Sequence, residues 1–280
     1  MRKLLAIGLA GALAFAVNSA VADENAELLI EGQKMVTKLA APEGSPFDTI
    51  YSGWVFRTDE TQALAMDDFE NPAMILAQYG EDLWSRADGA NGKSCADCHG
   101  DASESMKGLR AQMPKWHEGK NTLFTLEDHI NWSREEHQKS APWKWESAEM
   151  LAMTAYIGLQ SRGMPVNVKT DGNYKSWYDQ GKELYYMRVG QLDMSCAHCH
   201  ENNWGNMIRA DHLSQGMING FPLYRLKWQG VGSIHRRFSG CIKNIRGTPF
   251  KRGSDEFTAL ELYVASRGQG LSVETPAIRN

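Results

Sequence analysis

Cys196-Ala-His-Cys-His200 places two thiols one helical turn apart, with an imidazole directly after the second. That is the pattern for covalent attachment of a c-type haem. The thiols bond the two vinyl groups of the cofactor, and the rigid linkage brings His200 beneath the iron as proximal ligand. His198, between the cysteines, is expected to face away. The pattern occurs earlier as Cys95-Ala-Asp-Cys-His99, so two covalently bound haem c groups are expected, held by Cys95, Cys98, Cys196 and Cys199, with His99 and His200 on the irons. A zinc site built from two Cys-x-x-Cys pairs is the competing reading, and such pairs normally lie roughly 15–20 residues apart. Here they are 101 residues apart, and each is followed at once by a histidine that a zinc ribbon does not require.

Around the two motifs the chain repeats itself. Gly80-Glu-Asp-Leu-Trp84 precedes Cys95 by fifteen residues, and Gly181-Lys-Glu-Leu-Tyr185 precedes Cys196 by the same interval. Behind each motif comes a later helical stretch with a Ser N-cap candidate, beginning at Ser147 in the first half and Ser254 in the second, and both run on to Ser-Arg-Gly, at 161–163 and 266–268. A leading helix, a haem motif and a closing aromatic helix resemble the monohaem cytochrome c fold. The expected fold is therefore mainly α: two cytochrome c-like haem domains in tandem, at 80–163 and 173–280, joined by a linker at 164–172 and preceded by an N-terminal extension at 23–79. Within the extension, Leu28, Leu29, Met35 and Leu39 suggest a helix from Asp23 to about Lys38. Asp67-Asp68-Phe69-Glu70-Asn71-Pro72 reads as a polar turn ahead of a helix at 73–84. The extension is expected to pack on the first haem domain or to meet a partner, and neither haem unit is expected to need a sheet.

Residues 1–22 have the three-part build of a secretory signal: Arg2 and Lys3, an apolar run from Leu4 to Val17, then Ala20-Val21-Ala22. The run is shorter than the roughly 20 residues that span a bilayer, so export to the periplasm without a membrane span is expected. Cleavage would remove 22 of 280 residues together with Arg2 and Lys3, taking the formal charge from −4 to about −6. An acidic exported chain with no nucleic-acid motif is not expected to bind nucleic acid.

Four of the five cysteines are thus assigned, leaving Cys241 alone. It lies in a stretch from Arg225 to Ser254 that holds eight Lys or Arg residues and no Asp or Glu. Neighbouring cations lower a thiol's pKa and favour the thiolate, which is both nucleophile and metal ligand, and they draw small anions into a cleft. The bland alternative has the charges balancing haem propionates and Cys241 packed as a small apolar residue. Met207, His212, Met217, His235 and Cys241 are all candidates for the sixth position on the second iron.

Taken with the two haem motifs, the segments Asp67–Pro72, Leu126-Glu-Asp-His-Ile-Asn131, Trp143-Lys-Trp-Glu-Ser147 and Arg237-Phe-Ser-Gly-Cys241-Ile-Lys-Asn-Ile-Arg246 resemble the SoxA family, the dihaem subunits of the SoxAX cytochromes of bacterial sulfur oxidation. The resemblance covers nearly all of the chain after residue 22. It implies that Cys241 is the distal ligand of the second haem, carries an extra sulfur as a persulfide and is the catalytic centre, with Arg237 beside it. It further implies oxidative joining of thiosulfate to a cysteine of a SoxYZ-like carrier, a SoxX-like monohaem cytochrome as partner, and a c-type cytochrome as electron acceptor. The rivals are a thiosulfate dehydrogenase forming tetrathionate and a plain dihaem electron carrier. One position departs from the family pattern: Ser133 stands where a cysteine usually ligates the first iron. His137 is the favoured replacement, with His129 and Met113 behind it, because residues one helical turn either side of Ser133 share its face.

Overall fold

The computed structural model describes residues 27–280, so the signal segment lies outside the described residues. Two pairs of crossing helices dominate it. Met74–Ser85 crosses Ala148–Leu159, and Lys175–Tyr186 crosses Asp255–Arg267. The repeated glycines make both crossings possible. A Cβ on Gly80 would lie 2.2 Å from the Ala152 carbonyl oxygen, and one on Gly181 would lie 2.0 Å from that of Ala259. Gly181→Ala must therefore push two backbones apart, and overpacking of this kind costs about 1–3 kcal/mol or more. A lowered melting temperature, read by circular dichroism on the haem-loaded protein, is the expected result.

The apolar residues of each pair close a core of their own. Leu83, Trp84, Met150, Met153 and Ile157 pack with Met106, Met113, Leu126 and Ile130 in one half. Tyr185, Phe257, Leu260 and Tyr263 pack with Ile234, Phe238 and Leu223 in the other. Residues 164–168 run along this second core: Val166 and Val168 are buried in it, and the Val166 N–H donates to the Leu271 carbonyl at 2.9 Å.

The N-terminal segment corrects the expectation of a helix from Asp23 to about Lys38. Residues 27–40 form two-residue strands and a hairpin partner, not a helix: Leu29–Ile30 pairs with Gln33–Lys34, and Lys38–Ala40 with Thr49–Tyr51. Glu31 and Gly32 both have positive φ, at 48° and 78°, as a two-residue hairpin turn requires. Leu28 and Ile30 point inward while Leu29 is exposed, so the apolar set has the period of a strand. The extension packs on both halves: Asp68 pairs with Arg162 at 2.8 Å and Leu76 and Tyr79 join the first core, while its earlier residues pack on the second. Leu28, Ile30, Met35, Trp54 and Phe56 share a core with Ile278, Trp204 and Tyr224, and the Gln215 side chain bonds the Tyr51 N–H and the Thr49 carbonyl. The second half also contains a sheet, contrary to expectation: Leu223–Arg225 pairs antiparallel with Gly230–Gly232 and parallel with Ala277–Arg279. The turn at Asp67–Pro72 and the helix behind it fall where the sequence puts them.

Candidate haem and thiolate site

Both Cys-x-x-Cys-His stretches form short helices opened by a serine. Ser94 and Asp97 exchange hydrogen bonds at 2.8 and 3.0 Å, and Ser195 does the same with His198, whose Nδ1 accepts from the Ser195 N–H at 3.1 Å. The residue in the middle of each motif thus closes a capping box. Ser-x-x-Asp and Ser-x-x-His were visible in the sequence as a cap signal, and that reading missed them.

His200 is held from behind. Its Nδ1 lies 2.8 Å from the Ser214 carbonyl, and Gly216, at φ 83°, comes so close that a Cβ there would sit 3.0 Å from the imidazole Cγ. Bonding of Nδ1 to a carbonyl leaves Nε2 as the free nitrogen and fixes the ring's orientation, the arrangement usual for a metal-ligating histidine. His200 acts on the Cys241 thiol from across the site, favouring its anion. Cys241 itself comes from the Ile234–Asn244 helix, capped by Ser233, whose side chain accepts the Arg236 N–H at 3.2 Å. None of the five cysteines is in a disulfide.

The charges around Cys241 come from three parts of the chain. Arg237 lies one turn before it on the same helix, half-buried and in no ion pair among the described residues. Arg225 is buried on the central strand, its Nη2 3.1 Å from Asp211 and its Nε 2.6 Å from the Asn280 carbonyl. Asp211 also pairs with Arg57, whose Nη2 donates to the His212 carbonyl at 2.9 Å. Burial pushes the Cys241 thiol up, but Arg237, His200 and Arg225 together outweigh it and bring the thiol down to about 7. Burial and the nearby Cys241 raise Cys196, to about 12, and Cys199, which places all three thiols in one cluster. Two thiols one turn apart, an oriented imidazole and an opposing thiol favouring its anion match the donor set of a thiolate-ligated haem c. Arg57 and Asp211 were missed in the sequence, because nothing local ties position 57 to position 211.

The remaining sixth-position candidates are engaged elsewhere. Met207 is 55% exposed on a small hairpin with His212, and Met217 packs with Ile50 and Leu271. His235 is buried, accepts the Gly253 N–H at 3.0 Å and stacks on Trp145 with ring centroids 4.5 Å apart.

At the first motif, His99 packs against Trp84 at 5.8 Å between ring centroids. Its pKa is lowered by burial and by His137. His137 is exposed and meets Trp132 edge-on at 4.9 Å. His129 stands apart, in a ring cluster with His117 and Phe124 at 5.5 and 5.2 Å; burial, His117 and Lys115 bring it down to about 4. Met113 is fully enclosed in the first core. The helix is α-helical over Leu126–Ser133 and continues as a π-helix over Arg134–Gln138, a form common at functional positions.

Residues 79–166 match the family model described as "SoxA/TsdA, cytochrome c domain". The L-cysteine S-thiosulfotransferase subunit SoxA of Rhodovulum sulfidophilum is 49% identical over 99% of this chain and 98% of its own, and its counterpart from Paracoccus pantotrophus is 54% identical over 88% and 86%. This chain belongs to the SoxA family. The crystal structure of SoxXA from P. pantotrophus superposes on this SoxA chain with a TM-score of 0.88 at 52% identity, covering 91% of this chain and 99% of that one. Membership makes it a cytochrome with covalently bound haem c. No helix among the described residues is long and apolar enough to cross a membrane.

Proposed function

We propose that this SoxA chain is the haem subunit of a periplasmic L-cysteine S-thiosulfotransferase, working with a SoxX-like monohaem cytochrome. It joins the sulfane sulfur of thiosulfate to a cysteine of a SoxYZ-like carrier. One S–S bond forms, the thiol proton is released and two electrons leave for a c-type cytochrome. The observation that carries this reading is the gathering of Cys196, Cys199, His200 and Cys241 in one place, with Arg237 and Arg225 turned on the Cys241 thiol. Cys241 is the catalytic thiolate, able to hold a sulfur atom as a persulfide, while Arg237 and Arg225 bind the sulfonate end and stabilise negative charge as the S–S bond forms.

In this proposal two haem units occur in tandem, at 80–163 and 173–280, with residues 164–172 between them and 23–79 ahead. Cys95, Cys98 and His99 hold the first haem, with His137 as its distal ligand. Cys196, Cys199 and His200 hold the second, opposite Cys241. When bound, haem supplies the one-electron acceptor for the oxidation. Intact mass of the native protein tests both the cofactor count and the sulfur chemistry: the cleaved chain plus two haems and one sulfur atom is expected, and a single haem would refute the tandem reading. His137→Ala is expected to turn the first haem high-spin in the EPR spectrum without touching the second. An unchanged spectrum would move the assignment to His129 or Met113.

A further inference from the structure

One carboxylate beside the proposed sulfonate site is shared by two arginines from distant parts of the chain. Asp211, on the small hairpin with Met207, pairs through one oxygen with Arg57 of the N-terminal extension and through the other with Arg225, 3.1 Å away. Arg57 is buried and each of its nitrogens is engaged: Nη1 on Asp211, Nη2 on the His212 carbonyl at 2.9 Å and Nε on the Gly53 carbonyl at 3.1 Å. Arg225 differs. Its Nε and Nη2 are taken, but its Nη1 bonds nothing among the described residues. Burial and Arg237 bring Arg225 down to about 10, with Asp211 and Cys241 opposing and Arg57 adding to the fall, so the three guanidiniums and the thiol act on one another. Arg279, which also acts on Arg57, is paired with Glu274. Three guanidiniums and one carboxylate leave this cluster two net positive charges, and thiosulfate is a dianion.

We propose that Arg57 is a positioning residue of the thiosulfate site: by occupying one oxygen of Asp211, it leaves Arg225 the positive charge that the sulfonate needs. The inference rests on the reading above that Arg225 and Arg237 hold the sulfonate. It makes the N-terminal extension part of the active site, through a side chain that has no free nitrogen for the anion itself. Without Arg57 the whole carboxylate charge falls on Arg225, and the cluster keeps one net positive charge. Without Arg57 and Asp211 together, Arg225 is unopposed and the net charge is two again.

That reversal is the test. Steady-state turnover of the native two-subunit complex, with carrier saturating and thiosulfate varied, compares wild type with Arg57→Gln and with the double variant Arg57→Gln, Asp211→Asn. In the single variant KM for thiosulfate is expected to rise about tenfold, within the range of coupling inside one salt-bridge network, and kcat to fall much less because Arg237 remains. In the double variant KM should return to within about threefold of wild type, the signature of two coupled groups. Calorimetric titration with thiosulfate, without carrier, should give the same order of affinities. A residue that only braced the hairpin would give the opposite order, because the double variant loses both sets of bonds. An unchanged KM in the single variant, or a double variant as weak as the single, would overturn the proposal. Arg57→Lys keeps the charge but not the planar fork, so KM should stay within about threefold of wild type. It decides the matter if either other variant fails to hold haem, and a KM about tenfold above wild type there would overturn the proposal. Absence of carrier-dependent turnover in the wild type would instead refute the thiosulfotransferase reading itself.

Discussion

Cys241→Met is expected to abolish thiosulfate-dependent electron release with the carrier present, while both haems stay attached and the second iron stays low-spin. In the proposed site covalent attachment rests on Cys196 and Cys199, which the substitution does not touch, and a thioether sulfur can still occupy the sixth position. What Met cannot do is ionise or hold a sulfur atom. The wild-type thiol is brought to about 7 by Arg237, His200 and Arg225, against the cost of its burial; a neutral thioether leaves Arg237 without the anion it faces. Turnover assay and EPR on the same preparation separate loss of chemistry from loss of haem. Near-normal turnover would return the chain to the plain electron-carrier reading.

Arg237→Ala is expected to keep both haems and the Cys241 ligand but to lower turnover about 10²–10³-fold, as removal of one oxyanion-hole donor does. Arg237 is in no ion pair among the described residues, whereas Arg225 shares Asp211 with Arg57, so Arg237 has the most charge free to offer thiosulfate. Arg237→Lys should recover part of the loss, because it keeps the charge but not the planar fork. A drop below threefold, measured as kcat/KM for thiosulfate, would show that Arg237 does not touch the substrate.

The proposed sites divide by how far apart their parts lie in the chain. Cys-x-x-Cys-His chemistry is local, and five consecutive residues contain it. The Gly-x-x-Leu-aromatic repeat was equally legible, because a helix crossing that close admits only glycine at positions such as 80 and 181. Ser147 and Ser254 mark the starts of their helices for the same local reason. The N-terminal segment was misread because Leu28, Leu29, Met35 and Leu39 suit a helix in spacing, while the Glu31-Gly32 turn commits them to a hairpin whose inner face is completed by Ile278 and Trp204. The π-helix at Arg134–Gln138 is a register change that composition does not announce.

By itself, then, the sequence determined the covalent haem chemistry, the internal duplication, the isolation of the fifth thiol and the basic character of its neighbourhood, all properties of residue type and short-range order. Only the tertiary structure decided that the Cys241 thiol meets His200, that the Ser214 carbonyl and Gly216 fix that imidazole, and that Asp211 binds Arg57 and Arg225 to one carboxylate. Residues so far apart in the chain come together only when the two crossing helix pairs and the N-terminal hairpins close their cores. Charge interactions also gain their strength only in the water-poor surroundings that this closure creates.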